Sequence, residues 1–146
     1  YFKVFERPIN YVPNPLIFYT NLIESFDKCI LITEPDRENP IVHELMKIDK
    51  VQVQSSTVAD DFATLMSARN VALSGVGTFA MAAALCSTRI KNLYTTNLLL
   101  TEHLNYSMMH NTDVELHVMD LENYLPVFPC SWKNTEEQRK FILDYR

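Results

Sequence analysis

Asn70-Val71-Ala72-Leu73-Ser74-Gly75-Val76-Gly77-Thr78-Phe79-Ala80-Met81-Ala82-Ala83-Ala84-Leu85-Cys86 holds both glycines of the chain. Asn70 to Ser74 has the short apolar run of a buried strand. Thr78 to Cys86 is apolar all round, the pattern of a helix buried on every side. Between them the Gly75-Val76-Gly77 turn has the conformational freedom that a strand-to-helix reversal needs. A strand that passes through glycines directly into a helix is the first half of a βαβ unit, and such units build parallel sheets. In those sheets ligands bind at the carboxyl ends of the strands, where this turn belongs.

The same alternation extends outward from the turn. Upstream, apolar residues Leu16, Tyr19, Leu22, Ile23 and Phe26 recur at helical spacing behind Pro15. Cys29 to Thr33 is a continuous apolar run that suits a strand buried on both faces, ended by Glu34-Pro35-Asp36. A helix is expected from about Pro40 to Lys47, with Ile41, Leu45 and Ile48 inward. Val51-Gln52-Val53-Gln54 alternates as a strand. Thr57 reads as an N-cap with Asp60 at the capping-box position, opening a helix to about Ala68 whose inner face is Val58, Phe62, Leu65 and Met66. Downstream, Asn92 to Thr95 reads as a strand, and Val114 to Met119 as a strand or a helix. Leu98 to Met109 has a helical pattern. Thr135 to Tyr145 is amphipathic with Asn134 as the expected cap. The segment Phe5 to Pro15, with Pro8, Pro13 and Pro15, is expected to be extended and irregular. Strands alternating with helices predict an α/β domain, a Rossmann-like three-layer arrangement with a mainly parallel sheet, over residues 1–146 as one unit.

Composition narrows the function classes. With 47% hydrophobic and 21% charged residues, the 146-residue chain has the balance of a globular domain. A net charge of −5 argues against nonspecific binding to nucleic acid, which needs an excess of Lys and Arg to neutralise phosphates. A local basic pocket would draw on Arg69, Arg89 and Lys91. Cys29, Cys86 and Cys130 lack metal-ligand spacing; Cys29 and Cys86 read as core residues and Cys130 as a loop residue. His43 reads as a surface residue. His103, His110 and His117 are seven residues apart each time, without the carboxylate or thiol support that a metal cluster needs. Asn105-Tyr106-Ser107 is a glycosylation sequon, meaningful only in a secreted protein. No apolar stretch has the length of a membrane span, and the start has the pattern of neither a signal nor a transit peptide. The start at Tyr1 without Met suggests a piece of a longer protein.

Two readings of Ser74-Gly-Val-Gly-Thr78 stand side by side. In one, the turn cradles a phosphate: glycines admit close backbone approach, free amides at the helix start attract an anion, and the Ser74 and Thr78 hydroxyls add hydrogen bonds. In the other, it is a tight turn with Thr78 as N-cap. The spacing is that of neither a P-loop nor the full dinucleotide fingerprint. Asp60 and Asp61 are the adjacent carboxylates near the turn. Neighbours on a helix point about 100° apart, so one ligand cannot engage both equally. The structural alternative has Asp60 completing the cap and Asp61 solvated.

Taken in order, the pieces from Cys29 to Tyr94 resemble the donor-binding C-terminal half of fucosyltransferase-like glycosyltransferases. The strand ending Thr33-Glu34-Pro35-Asp36 is followed by Asn39-Pro40 opening a helix. Gln54-Ser55-Ser56 and the helix with Asp60-Asp61-Phe62-Ala63-Thr64-Leu65-Met66 come next, and Ala68-Arg69-Asn70-Val71 leads through Ser74 to Thr78-Phe79. Trp132 to Gln138 is similar to the closing helix of some members. The resemblance covers roughly half of the chain. It implies one half of a GT-B fold that binds a nucleotide-sugar donor, such as GDP-fucose, for transfer to a glycan or protein acceptor. It would place Ser74, Gly75, Gly77 and Thr78 at the diphosphate, Asp60 or Asp61 at the base or ribose, and Phe79 beneath the turn. It requires no metal and names no catalytic base. The family's His-x-Arg-like element has no counterpart here. It would lie upstream of Tyr1, in an N-terminal domain of the same protein, so the segment alone is expected not to turn over. A noncatalytic α/β module that binds a nucleotide or a protein is the reading from a different class. A methyltransferase-type Rossmann enzyme is a third, disfavoured because its glycine turn follows the first strand.

Overall fold

In the computed structural model, residues 12–35, 38–75, 77–99, 108–124 and 132–146 are described. The elements are α1 (Leu16–Glu24), β1 (Cys29–Ile32), α2 (Pro40–Leu45), β2 (Val51–Gln54), α3 (Val58–Ser67), β3 (Asn70–Ala72), α4 (Thr78–Cys86), β4 (Asn92–Thr96), β5 (Glu115–Met119) and α5 (Glu136–Asp144). The chain is α/β, and its strands pair in parallel, compatible with the Rossmann-like expectation. They form two sheets, β1-β2 and β3-β4-β5. In the first, Cys29 pairs with Val51 and Ile32 with Gln54. In the second, Asn70 pairs with Asn92, and β4 runs beside β5 from Asn92↔Glu115 to Thr96↔Met119. The segment Val114 to Met119, open between strand and helix in the sequence, therefore holds a strand, Glu115–Met119.

Local chemistry sets the helix starts. Pro15 sits at the N-cap of α1 and Pro40 opens α2, where the Asn39 side chain accepts from the Ile41 amide. Thr57 accepts from the Asp60 amide at the head of α3. At α5 the cap is Thr135, which accepts from the Gln138 amide. The expected cap, Asn134, instead adopts a positive φ of 56° and accepts from Arg139 Nε at 2.7 Å.

One core joins Val12, Ile23, Ile41, Leu45, Leu121, Tyr124 and Ile142, with Leu31, Val51 and Met119 packed against it. It brings α1, α2 and α5 together. The other joins Val71, Leu73, Met81, Ala84, Ile90, Leu93 and Val114, with Leu65 and Ala68 of α3 against it. Here α3 and α4 pack on each other. Several expectations about burial are corrected. Ile30 is half-exposed, so β1 is not covered on both faces. Val58 is 74% exposed at the head of α3. In α4 one face is buried through Met81, Ala83 and Ala84, while Thr78, Phe79, Ala82 and Cys86 are exposed. Small alanines explain the difference: an all-apolar helix need not be covered on every side when four of its nine side chains are methyl groups.

His43 is exposed as expected. Cys130, His103, Asn105, Val76 and most of Leu98 to Met109 lie outside the described residues. No described helix is long and apolar enough to cross a membrane.

Candidate functional site

Beyond β3 the ladder continues one residue, the Leu73 amide donating to the Tyr94 carbonyl at 2.9 Å. Leu73 is fully buried, Ser74 exposed and Gly75 buried again. Gly75 has φ +102°, a conformation that L side chains rarely adopt, and a β-carbon there would meet the Val12 carbonyl oxygen at 2.8 Å. The glycine is thus required by the chain's own backbone. Gly77 is the N-cap of α4, at φ −69° and ψ 136°, and offers no side-chain acceptor. Thr78 is the first helical residue, one place beyond the cap expected of it. No acid occupies the first turn of α4. Its amide-rich, positively polarised start has no carboxylate of its own to balance it.

The head of α3 is the opposite case. Asp61 is 8% exposed, not solvated as the sequence suggested, and its carboxylate accepts from Gln54 Nε2 at 2.8 Å and the Ser56 amide at 3.2 Å. Gln54 also donates to Thr64 Oγ1 at 2.9 Å. Asp61 therefore ties α3 to the carboxyl end of β2. Asp60 is exposed and accepts from the hydroxyls of Thr57 at 2.7 Å and Ser56 at 3.1 Å. Those two hydroxyls, Thr57 first, hold its carboxyl below the usual value. Asp60 borders a shallow polar groove with Gln54, Ser56, Ala63, Thr64 and Ser67. The turn residues are not part of its lining. What links the two helix starts is an aromatic pair: Phe79 meets Phe62 edge-on with ring centroids 5.5 Å apart. Phe79 is 41% exposed and packs on α3, not beneath the turn.

Residues that the sequence did not single out bind the turn from the other side. Asn14 is completely buried between Pro13 and Pro15. Its side-chain amide donates to the Leu73 carbonyl at 2.9 Å, and its Oδ1 accepts from Thr96 Oγ1 at 2.8 Å. The Tyr124 hydroxyl donates to the Pro13 carbonyl at 2.7 Å. Residues 12–15 thus form a strap across the carboxyl ends of β3 and β4. An asparagine between two prolines is the one signal of it in the sequence.

The expected cations lie elsewhere. Arg69 precedes β3, Lys91 precedes β4, and the Lys91 amide donates to the Arg69 carbonyl at 2.8 Å. Both stand at the amino edge of the sheet, opposite the turn, with Arg89 just before Lys91. All three are exposed. His117 on β5 stacks on Tyr94, centroids 4.7 Å apart, and its Nε2 lies 3.0 Å from Asn92 Oδ1. Among the described residues no three His, Cys, Asp or Glu side chains come together as metal ligands.

Set against protein-family models, characterised proteins and solved structures, the chain has no match. The geometry of the site is therefore the basis for its functional reading.

Proposed function

We propose that this domain binds the nucleotide-sugar donor of a glycosyltransferase, a GDP-sugar such as GDP-fucose, for transfer to a glycan or protein acceptor. The observation that carries the reading is the start of α4, which follows a parallel strand, lacks a side-chain cap and lacks an acid. The exposed Ser74 and Thr78 hydroxyls flank it. In this reading a diphosphate accepts from the amides around Gly77 and Thr78 and from the two hydroxyls, with Gly75 shaping the turn. Asp60, the exposed member of its pair, receives ribose or base hydrogen bonds. Asp61 holds the α3 start in place, and Phe79 borders the ligand from its place against Phe62.

With Arg69, Arg89 and Lys91 at the far edge, none of the three expected cations serves the turn. Departure of a nucleoside diphosphate needs positive charge, so that charge comes from another part of the protein in this reading. The same observation favours one alternative: a noncatalytic nucleotide- or protein-binding module, which needs no such charge.

Calorimetric titration with GDP, GDP-fucose, UDP and inorganic phosphate, repeated on Thr78→Ala, tests the proposal. Guanine-selective binding that weakens in the variant supports it. Equal weak responses to every ligand, unchanged by the substitution, rule the turn out as a donor site.

A further inference from the structure

We propose that the strap Val12–Pro15 is a latch whose seating sets the backbone at Gly75 and at the start of α4, with Asn14 as its positioning residue. The inference rests on the donor-site reading only for the ligand that the latch would regulate. Three contacts from separate elements hold the strap. Asn14 bridges the ends of β3 and β4 through the Leu73 carbonyl and the Thr96 hydroxyl, 59 and 82 residues away. Tyr124 holds the Pro13 carbonyl from beyond β5. The Val12 carbonyl lies where any side chain on Gly75 would be.

The way these contacts are made points to a unit that seats and releases as a whole. Pro13 and Pro15 carry no amide hydrogen, so the strap cannot be stitched down by a regular ladder. Each proline also restricts the residue before it to extended backbone, so Val12 and Asn14 lose little freedom on seating. The strap is therefore pre-shaped and held by Asn14, by the Tyr124 hydroxyl on the Pro13 carbonyl and by Val12 in the core. Releasing Asn14 strands the Leu73 carbonyl directly before the turn, and it frees the space that fixes Gly75. The amides at the start of α4 follow within a few residues. Strap and turn share one equilibrium, and whatever favours the seated strap favours the turn as it stands.

Amide hydrogen exchange on the whole chain tests this without any ligand. Asn14→Ala should speed exchange of the Leu73 amide, which donates to the Tyr94 carbonyl, by about tenfold or more and shift the Gly75, Gly77 and Thr78 amide resonances, while the Cys29 and Thr33 amides, which donate to the Lys50 and Gln54 carbonyls, keep their wild-type rates. Tyr124→Phe, which removes only the hydroxyl on Pro13, should give the same changes on a smaller scale and serves if Asn14→Ala does not fold. Unchanged turn amides in the variant that folds would overturn the latch. So would an equal rise in both sheets, which marks general destabilisation. GDP titration of the wild-type chain decides the donor reading separately: a latch effect with no GDP response leaves the latch standing and removes the donor site.

Discussion

The Val12 carbonyl oxygen lies 2.8 Å from the point that a β-carbon on Gly75 would occupy. Sterics and backbone conformation act together at this position. Gly75→Ala should destabilise the fold by roughly 1–3 kcal/mol from the unfavourable φ alone, with the displaced strap adding to it. Urea denaturation followed by far-UV circular dichroism reads the loss; a midpoint equal to that of the wild type would contradict it.

Gly77 has a different role, because its φ of −69° suits any residue. Gly77→Ser places a hydroxyl acceptor at the N-cap of α4 and should gain a few tenths of a kcal/mol. The same hydroxyl occupies the amides on which the proposed anion depends. Thermal unfolding and GDP titration on one sample should therefore move in opposite directions, stability up and affinity down. Stronger GDP binding in this variant would contradict the assignment of those amides.

The two neighbouring aspartates should separate cleanly under substitution. Asp61→Ala removes the acceptor shared by Gln54 Nε2 and the Ser56 amide in a half-buried place, at a cost of about 0.5–1.5 kcal/mol. Asp60→Asn keeps a similar shape at the surface and loses the charge, so it should lower the unfolding midpoint by less than Asp61→Ala does. If Asp60 rather than Asp61 is the sensitive position, the assignment of roles is reversed.

Asp60 also gives the fold a pH dependence of known sign. Its carboxyl is held below the ordinary value chiefly by the Thr57 hydroxyl and next by that of Ser56. A carboxyl with a lower pKa in the folded state stabilises the fold above its unfolded-state pKa and loses that contribution as pH falls through the folded value. The effect therefore lies on the acid side of 3.8, the ordinary value. Thr57→Val should move the Asp60 titration upward in a carbon-detected NMR experiment. An unmoved or lower midpoint would show that the hydroxyl is not the cause.

The alternation of strands and helices was readable because period and punctuation agree. Val51 to Gln54 alternates between Ser/Thr-rich and charged flanks, and both its ends match the observed strand. Thr57 and Pro40 mark helix starts through local hydrogen bonding and a fixed φ, which need no tertiary context. Burial was less readable, since it depends on partners far along the chain. Nothing near Ile30 says that one face of β1 is left uncovered, and nothing near Cys86 says that it reaches the surface. The turn was found from its glycines, but the reason for Gly75 lies at Val12, and no local pattern connects the two. Arg69 and Lys91 were recognised as cations, yet only the strand direction reveals that they stand on the edge away from the turn.

The parallel pairing of every strand also shapes how the chain reaches this structure. Among the described residues no two strands are joined by a tight hairpin; even the paired Asn70 and Asn92 are 22 residues apart, with α4 between them. A rung of β1-β2 or β3-β4 can form only after a helical crossover has been closed into a loop, so the entropy cost falls before the first contact is gained. The two β1-β2 and β3-β4 crossovers can each form early as a local helix, while the sheet edges wait unpaired. Folding is therefore expected on the millisecond-to-second scale of mixed and non-local topologies, with helix content rising ahead of the sheet. The last contacts to close are those with the longest reach, and Asn14 on Thr96 is among them.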